Sequence, residues 1–211
     1  MSGSHILVLG GTGPAGTCLI RELLYREHPT IAYVRNPSKI PHDLSSSPLL
    51  QIIKGEMSDL PKHSLAIAQS STIVLLLGPN SLRISDPQLF ADIYSKSVFP
   101  LMRERSVKRI LAMGTISIYE PEDKPSLIRW FVVLVVRLLA SIAYVNILNV
   151  GQAFRTDAQG LDWTVFRIAG ILGGADEASW RRDRDERDTF VGWQRRGAMA
   201  KWLRRCSRGK R

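Results

Sequence analysis

Short apolar runs, each closed by glycine, proline or polar residues, recur along the first 170 residues and alternate with amphipathic stretches. His5-Ile6-Leu7-Val8-Leu9 is almost continuously apolar over five positions. That is the pattern of a strand buried on both faces of a parallel sheet. Further strands are predicted at 30–34, 51–54, 72–77, 109–113 and 164–168. The run at 72–77 is the most apolar of them and stops at Gly78-Pro79. Between them, helical spacing predicts helices at 15–26, where Leu19, Ile20, Leu23 and Leu24 share one side, at 61–69, and at 88–105 with a kink at Pro100. Strands and helices in this alternation call for a parallel sheet joined by right-handed crossovers. The predicted class is therefore α/β, a Rossmann-like doubly wound sheet in three layers. One domain is expected over 1–178.

Two regions depart from that rhythm. Residues 127–150 contain Trp130-Phe131-Val132-Val133-Leu134-Val135-Val136, then Arg137 and a second apolar run. The length approaches the ~20 apolar residues of a membrane span. A mid-span arginine costs at least ~2.5 kcal/mol on insertion scales. One or two helices, partly buried and partly at a subunit interface or substrate mouth, are expected, as a helical insertion at about 126–158. Membrane contact through 127–150 is the less favoured alternative, and a homodimer is an open possibility. The second region, 179–211, reads as a basic C-terminal extension. It holds a mixed-charge run over 179–188 and a short helix at 197–203, and the last eight residues are expected to be disordered.

Charge sharpens that division. The chain carries a net charge of +10, yet residues 181–211 alone hold 12 basic and 4 acidic residues. The rest is almost neutral, so the excess marks a solvated tail and no sequence-specific reader of nucleic acid. Two cysteines, Cys18 and Cys206, cannot form a disulfide framework. A reducing, cytoplasmic setting is expected, with Cys18 a packing residue in the first helix. No basic stretch leads into a long apolar segment at the N-terminus, so a secretory signal is not expected. His5, His28, His42 and His63 show no metal-ligand spacing.

The chemistry lies in the first turn. Gly10, Gly13 and Gly16 follow the first predicted strand directly, within Gly10-Gly11-Thr12-Gly13-Pro14-Ala15-Gly16, and open a predicted helix. One glycine turns the chain, a second lets a pyrophosphate approach the backbone, and a third brings helix and sheet close. The helix start offers free N–H groups and a positive dipole end, and Pro14 suits that position. A dinucleotide is the ligand this context fits. An NAD site places a carboxylate at the end of the second strand to hold the ribose hydroxyls. Here Arg35 stands there, with Asn36 and Lys39 nearby. A guanidinium would attract a 2′-phosphate, so NADP(H) is the expected cofactor.

These residues, with Val34-Arg35-Asn36-Pro37-Ser38-Lys39, Gly55-Glu56-Met57-Ser58-Asp59-Leu60 and Leu161-Asp162-Trp163-Thr164-Val165-Phe166-Arg167, resemble the atypical short-chain dehydrogenase/reductase group, the NmrA-like NAD(P)-binding proteins. The chain is also similar to the averufin-oxidase-like branch, which is associated with tailoring of aromatic polyketides and hence secondary metabolism. The resemblance implies that Asp59 contacts the adenine amino group and that Gly78 and Pro79 line the ribose. It places Thr115 and Ser117 near the nicotinamide, and Ala169 and Gly170 against its carboxamide. It implies an oxidoreductase with a small, aromatic or quinone-like substrate.

One departure stands out. Short-chain reductases commonly use a Tyr-x-x-x-Lys pair as proton relay. Tyr144 is followed four residues on by Leu148, and Tyr119 by Asp123. Thr115, Ser117 and Tyr119 are left as catalytic candidates by position alone. A binding protein that senses the NADP(H) redox state without turnover is the alternative function. Trp130, Trp180 and Trp193 are expected to wall a substrate pocket.

Overall fold

The computed structural model describes residues 5–78, 85–172, 174, 176–184 and 193–207, omitting the side chains of 172, 182–184, 193 and 194. Six strands form one parallel sheet: β1 His5–Leu9, β2 Thr30–Val34, β3 Leu50–Lys54, β4 Ser70–Leu75, β5 Arg109–Thr115 and β6 Asp162–Ile168. Their order is β3-β2-β1-β4-β5-β6, with every pairing parallel. The order reverses between β1 and β4, where the chain leaves one side of β1 and returns on the other. In open α/β sheets ligands bind at that switch point, outside the carboxyl ends of the strands.

Side chains alternate along each strand, so the sheet feeds two cores. Ile6, Val8, Ala32, Val34, Val74, Leu76, Leu111 and Phe166 face one layer. That layer holds α1 Pro14–Tyr25, α8 Glu177–Arg184 and α9 Arg196–Ser207, with the short α2 His42–Ser45 at its margin. Leu7, Leu9, Ile31, Tyr33, Ile73, Leu75, Ile110 and Ala112 face the other. That layer holds α3 Leu60–Ala68, the segment 89–104 and α7 Ser141–Asp157. The three-layer α/β architecture is the one expected from the strand pattern.

The kink expected at Pro100 takes a definite form. α4 Leu89–Asp92 and α5 Phe99–Glu104 are joined by a π-helical stretch, Ile93–Val98. Pro100 has no N–H to donate, and a widened turn just before it relieves the missing bond and the ring clash. The helical insertion is two helices, α6 Leu127–Leu139 and α7, bent by 118° at Ala140. Among the described residues no single helix is long and apolar enough to cross a membrane. α7 packs into the core through Val150, Ala153 and Phe154, whereas α6 buries only Val133. Leu127, Ile128, Leu138 and Leu139 are 87%, 77%, 72% and 77% exposed.

The largest correction concerns the extension drawn at 179–211. α9 runs to Ser207, four residues into the stretch expected to be disordered, and Ala198, Met199, Ala200 and Leu203 are buried. They lie in the same core as Cys18, Leu19, Leu111 and Phe166. Trp180 of α8 is buried there too, edge-on to Tyr25 at 5.5 Å between ring centres. Charged side chains on the outer face of α9 conceal an apolar stripe at 199, 202, 203 and 206, the i, i+3, i+4, i+7 signature of a packed helix. The C-terminal carbonyls of α9 are held at the far edge of the sheet. Thr72 Oγ1 donates to the Ser207 carbonyl at 3.1 Å, and the Arg109 guanidinium to that of Cys206 at 3.2 Å. Glu22 on α1, fully buried, faces the Arg204 Nε of α9 at 3.6 Å.

Candidate functional site

β1 ends at Leu9, and the chain turns at once. Gly10 has φ +85°, in the left-handed region, and a Cβ there would meet the Leu76 carbonyl carbon at 3.0 Å. The Gly13 amide then donates to the Gly10 carbonyl at 3.1 Å, and Thr17 N to Gly13 O at 2.8 Å begins α1. A Cβ on Gly16 would fall 2.2 Å from Gly10 O. The loop therefore folds back on the first turn of the helix with no side chain between them. No side chain caps α1. Its opening N–H groups have no intrahelical acceptor and face outward, the arrangement that binds phosphate.

A cavity of about 510 Å³ lies against this loop. Gly10, Thr12, Gly13, Pro14, Ala15 and Gly16 line it together with Arg35 and Lys39 from the end of β2. These eight of the sequence-predicted residues are thus brought together from two elements. Arg196, at the start of α9, lines the same cavity, and so do Tyr33, Met57, Leu76, Leu77, Met113 and Ile171. The described lining holds three cationic side chains and no carboxylate. A second cavity of about 700 Å³ shares Arg35, Met57 and Leu77, and is continued by Gly78, Phe90 and Ile93. A dinucleotide fits this surface in kind: an uncapped helix start for its phosphates, cations beside it, and apolar walls for its rings.

Other predicted residues are placed in structural roles. Asn36 caps the turn Pro37–Lys39, its Oδ1 accepting from Ser38 N at 3.2 Å and Ser38 Oγ at 2.7 Å. It lines neither cavity, but it shapes the turn that returns Lys39 to the wall. Asp59 caps α3, accepting from Lys62 N at 3.3 Å and pairing with Lys62 Nζ at 2.9 Å. The Lys62 hydrogen bonds hold its carboxyl below the usual range. Asp59 is outside both cavity linings, and Met57 and Ser58 stand at that edge instead. Pro79 lies outside the described residues. Ala169 and Gly170 form the link from β6 into β7 Gly170–Leu172, and the next residue, Ile171, is the one at the cavity wall. β7 pairs with β8 Trp193–Arg195, so that Arg196 follows directly.

The catalytic candidates separate. Thr115 ends β5, and its Oγ1 accepts from Ser117 N at 3.3 Å. Ser117 is buried. Met113, two residues back on the Thr115 side of the strand, reaches the cavity. Tyr119 is 53% exposed, with the Arg129 guanidinium 4.0 Å from its ring centre. It lines a different cavity, about 460 Å³, together with Asp123, Arg129 and Trp130. Tyr119 is therefore not brought to the glycine loop. Of the tryptophans, Trp130 borders that other cavity, Trp180 is core, and the Trp193 side chain lies outside the described residues. Among the described residues no group of three His, Cys, Asp or Glu side chains could hold a metal.

Tyr33 forms part of the wall. Its hydroxyl donates to the Glu56 carbonyl at 2.7 Å, and its ring stacks on His63 at 5.3 Å. Burial, aided by the charges of Asp59 and Glu56, pushes the phenol up to about 12. Burial pushes His63 down to about 4, so it is neutral, and its Nδ1 is 3.1 Å from Ser97 Oγ. Neither group is poised for proton transfer near neutral pH.

Comparison with known proteins agrees with this geometry. No curated protein matches the chain. A short-chain dehydrogenase/reductase (wide type) from Veillonella parvula, solved in complex with NADP, superposes with a TM-score of 0.68 at 14% identity, over 96% of this chain and 86% of that one. The Bordetella bronchiseptica enzyme WbmH, solved with NAD+, gives 0.66 at 17% identity over 98% and 73%. The anaerobillin reductase ChuY from Escherichia coli O157:H7 gives 0.67 at 16% identity over 95% and 88%. At these identities the likeness is one of fold. The model of the NAD(P)H-binding family, however, matches residues 10–206, nearly the whole described chain. With the glycine loop, the cation-lined cavity and the strand order all in agreement, the chain belongs to the NAD(P)H-binding family.

Proposed function

We propose that the protein is an NADP(H)-dependent oxidoreductase of the atypical, NmrA-like short-chain type, acting on a small aromatic or quinone-like substrate. The observation that carries this reading is the cation set at the end of β2. Arg35 and Lys39 share the cavity of the glycine loop, and no described carboxylate lines it. A 2′-phosphate would be neutralised there, whereas bare ribose hydroxyls would find no carboxylate among the described residues of this cavity, Glu56 and Asp92 lining the adjoining one. When bound, the cofactor supplies the hydride. The chain supplies position: the amides opening α1 take the diphosphate, Arg35 and Lys39 hold the adenosine end, and Met113 near the end of β5 and Ile171 on β7 form an apolar wall.

The proton is handled differently from the common tyrosine–lysine relay. Thr115 Oγ1 accepts from Ser117 N at 3.3 Å, and Thr115 lines none of the cavities described above, so the proton is left to solvent. A quinone-like acceptor tolerates a weak donor, because its reduced oxygen is a mild base that water can protonate. That is why this substrate class suits the residues present.

The test is a titration with NADPH and NADH on wild type and Arg35→Ala. The variant is expected to lose at least about tenfold in NADPH affinity, the equivalent of one charge-assisted contact, with NADH little changed. Equal weakening of both would overturn the NADP(H) preference. A second reading, a redox-sensing protein without turnover, is favoured by Tyr119 lying away from the cavity. NADPH oxidation across quinones, ketones and flavins separates the two, since a sensor binds tightly and turns over none of them.

A further inference from the structure

We propose that Arg196 is a cofactor-binding residue whose guanidinium engages the pyrophosphate from the side of the cavity opposite Arg35. This role rests on the dinucleotide reading and goes beyond it, because it falls in a segment whose composition reads as a solvated tail.

The topology places this residue. Arg35 and Lys39 follow β2, on one side of β1. Arg196 follows β8, which is tied to β7 in the register Gly170↔Trp193, Ile171↔Gln194, Leu172↔Arg195. β7 in turn begins two residues beyond the end of β6. The two cation sets therefore approach the glycine loop from opposite sides of the switch point between β1 and β4. A dinucleotide laid across that point has its adenosine toward β2 and β3 and its diphosphate over the start of α1. Arg35 and Lys39 meet the adenosine half. Arg196, the remaining cation among the described lining residues, meets the diphosphate.

The helix that carries Arg196 is held independently of any ligand. α9 begins at the carboxyl edge of the sheet and ends at the amino edge, where Thr72 and Arg109, at the starts of β4 and β5, bind its last carbonyls. α1 runs the same way, from the end of β1 back toward the start of β2. The two helices lie side by side and parallel, packed along their lengths. Met199, Ala200 and Leu203 are buried within two turns of Arg196. Core packing thus fixes the start of α9, and with it Arg196, on the wall of the cavity that the opening turn of α1 also lines. Arginine suits the task, since its planar fork can hold two oxygens of one phosphate.

The experiment compares wild type, Arg196→Gln, Arg196→Lys and Arg35→Ala in binding to three probes: NADPH, NADH and 2′-AMP, which carries the 2′-phosphate but no diphosphate. Arg196→Gln is expected to weaken NADPH and NADH alike, by about tenfold, and to leave 2′-AMP unchanged. Arg196→Lys is expected to recover part of the loss, and the melting temperature of the free protein to stay at the wild-type value. Arg35→Ala shows the opposite pattern, losing NADPH and 2′-AMP but keeping NADH. Unchanged dinucleotide binding in Arg196→Gln, with Arg35→Ala behaving as expected, would overturn this proposal and leave the cofactor reading standing. So would equal loss of 2′-AMP, which would move Arg196 to the adenosine half. Wild-type protein that binds neither dinucleotide would overturn both.

Discussion

Arg167 on β6 holds Asp123 with both arms of its guanidinium, Nη2 to Oδ1 at 2.7 Å and Nη1 to Oδ2 at 2.5 Å. Arg129 on α6 closes on the same carboxylate at 2.7 Å and donates to the carbonyls of Ile116 and Ile118 at 2.8 and 2.7 Å. One acid therefore fixes the loop that leaves β5, away from the glycine-loop cavity. The hydrogen bonds from Arg167, then those from Glu120 N and Arg129, hold its carboxyl far below the usual range.

Asp123→Asn is expected to cost about 2 kcal/mol in urea denaturation, within the range for charge-assisted hydrogen bonds. Because the folded-state pKa is depressed, the wild-type contribution is complete above the unfolded carboxylate value near pH ~4 and is lost as the pH falls below it. The variant lacks that acid-dependent loss. Equal stability of the two proteins at pH 7 would remove the loop-pinning role.

His63 gives a pH dependence in a different window. It is buried and neutral, with its pKa lowered from 6.5 to about 4. Between those values the unfolded chain binds the proton and the folded chain does not, so stability rises with pH across the window and falls as the medium is acidified. His63→Phe keeps the ring against Tyr33 and removes the titration. The wild type is expected to lose up to about 3 kcal/mol more than the variant between pH 6.5 and 4, read from denaturant midpoints. Parallel pH profiles would mean that His63 does not titrate in this way.

Two glycines three residues apart respond to alanine for opposite reasons. At Gly16 the new methyl meets backbone, Gly10 O at 2.2 Å and Gly11 Cα at 2.7 Å. The loop must shift, and a loss of about 1–3 kcal/mol or more is expected from overpacking. At Gly13 the nearest atom is Gly10 O at 3.4 Å, and φ is −75°. Gly13→Ala should therefore keep the wild-type melting temperature while its methyl obstructs the cradle and weakens NADPH binding. Thermal melting and titration on both variants separate the fold requirement from the ligand requirement. Normal NADPH binding by a folded Gly13→Ala protein would argue against phosphate approach at this turn.

α6 has two kinds of apolar position. Leu138 and Leu139 are exposed, so changing each to Gln is expected to alter stability by less than about 0.5 kcal/mol. Val133, the buried residue of this helix, should cost about 1–2 kcal/mol as Ala. Denaturant midpoints measure the contrast. A large loss from Leu138→Gln would show that this face is covered in solution.

The strands are legible in the sequence because a strand covered on both faces can be written only as an unbroken apolar run. β1 and β2 fall at the expected residues, and β4 and β6 begin two residues earlier than expected. The glycine loop is legible for a similar reason, since a strand-to-helix turn with room for phosphate admits little besides glycine. Asn36 and Asp59 stand where ligand contacts are expected, whereas both cap turns. A short polar side chain before a proline or a helix start serves either purpose, and spacing alone does not separate them. The β7–β8 pair has only three residues per strand, too few to show a period. Arg196 is hidden by its neighbours. In a stretch so rich in arginine the mean polarity masks the apolar stripe at 199, 202, 203 and 206, so a core helix looks like a tail.

The burial of α9 bears on how the chain is made. Without Met199, Ala200 and Leu203 the face formed by Cys18, Leu19, Leu111 and Phe166 loses much of its cover. A nascent chain halted before residue 196 therefore presents an open greasy surface, with α1 bereft of its neighbour. Completion of this layer has to wait for translation to pass residue 207, and until then the emerging polypeptide is a natural client for chaperones.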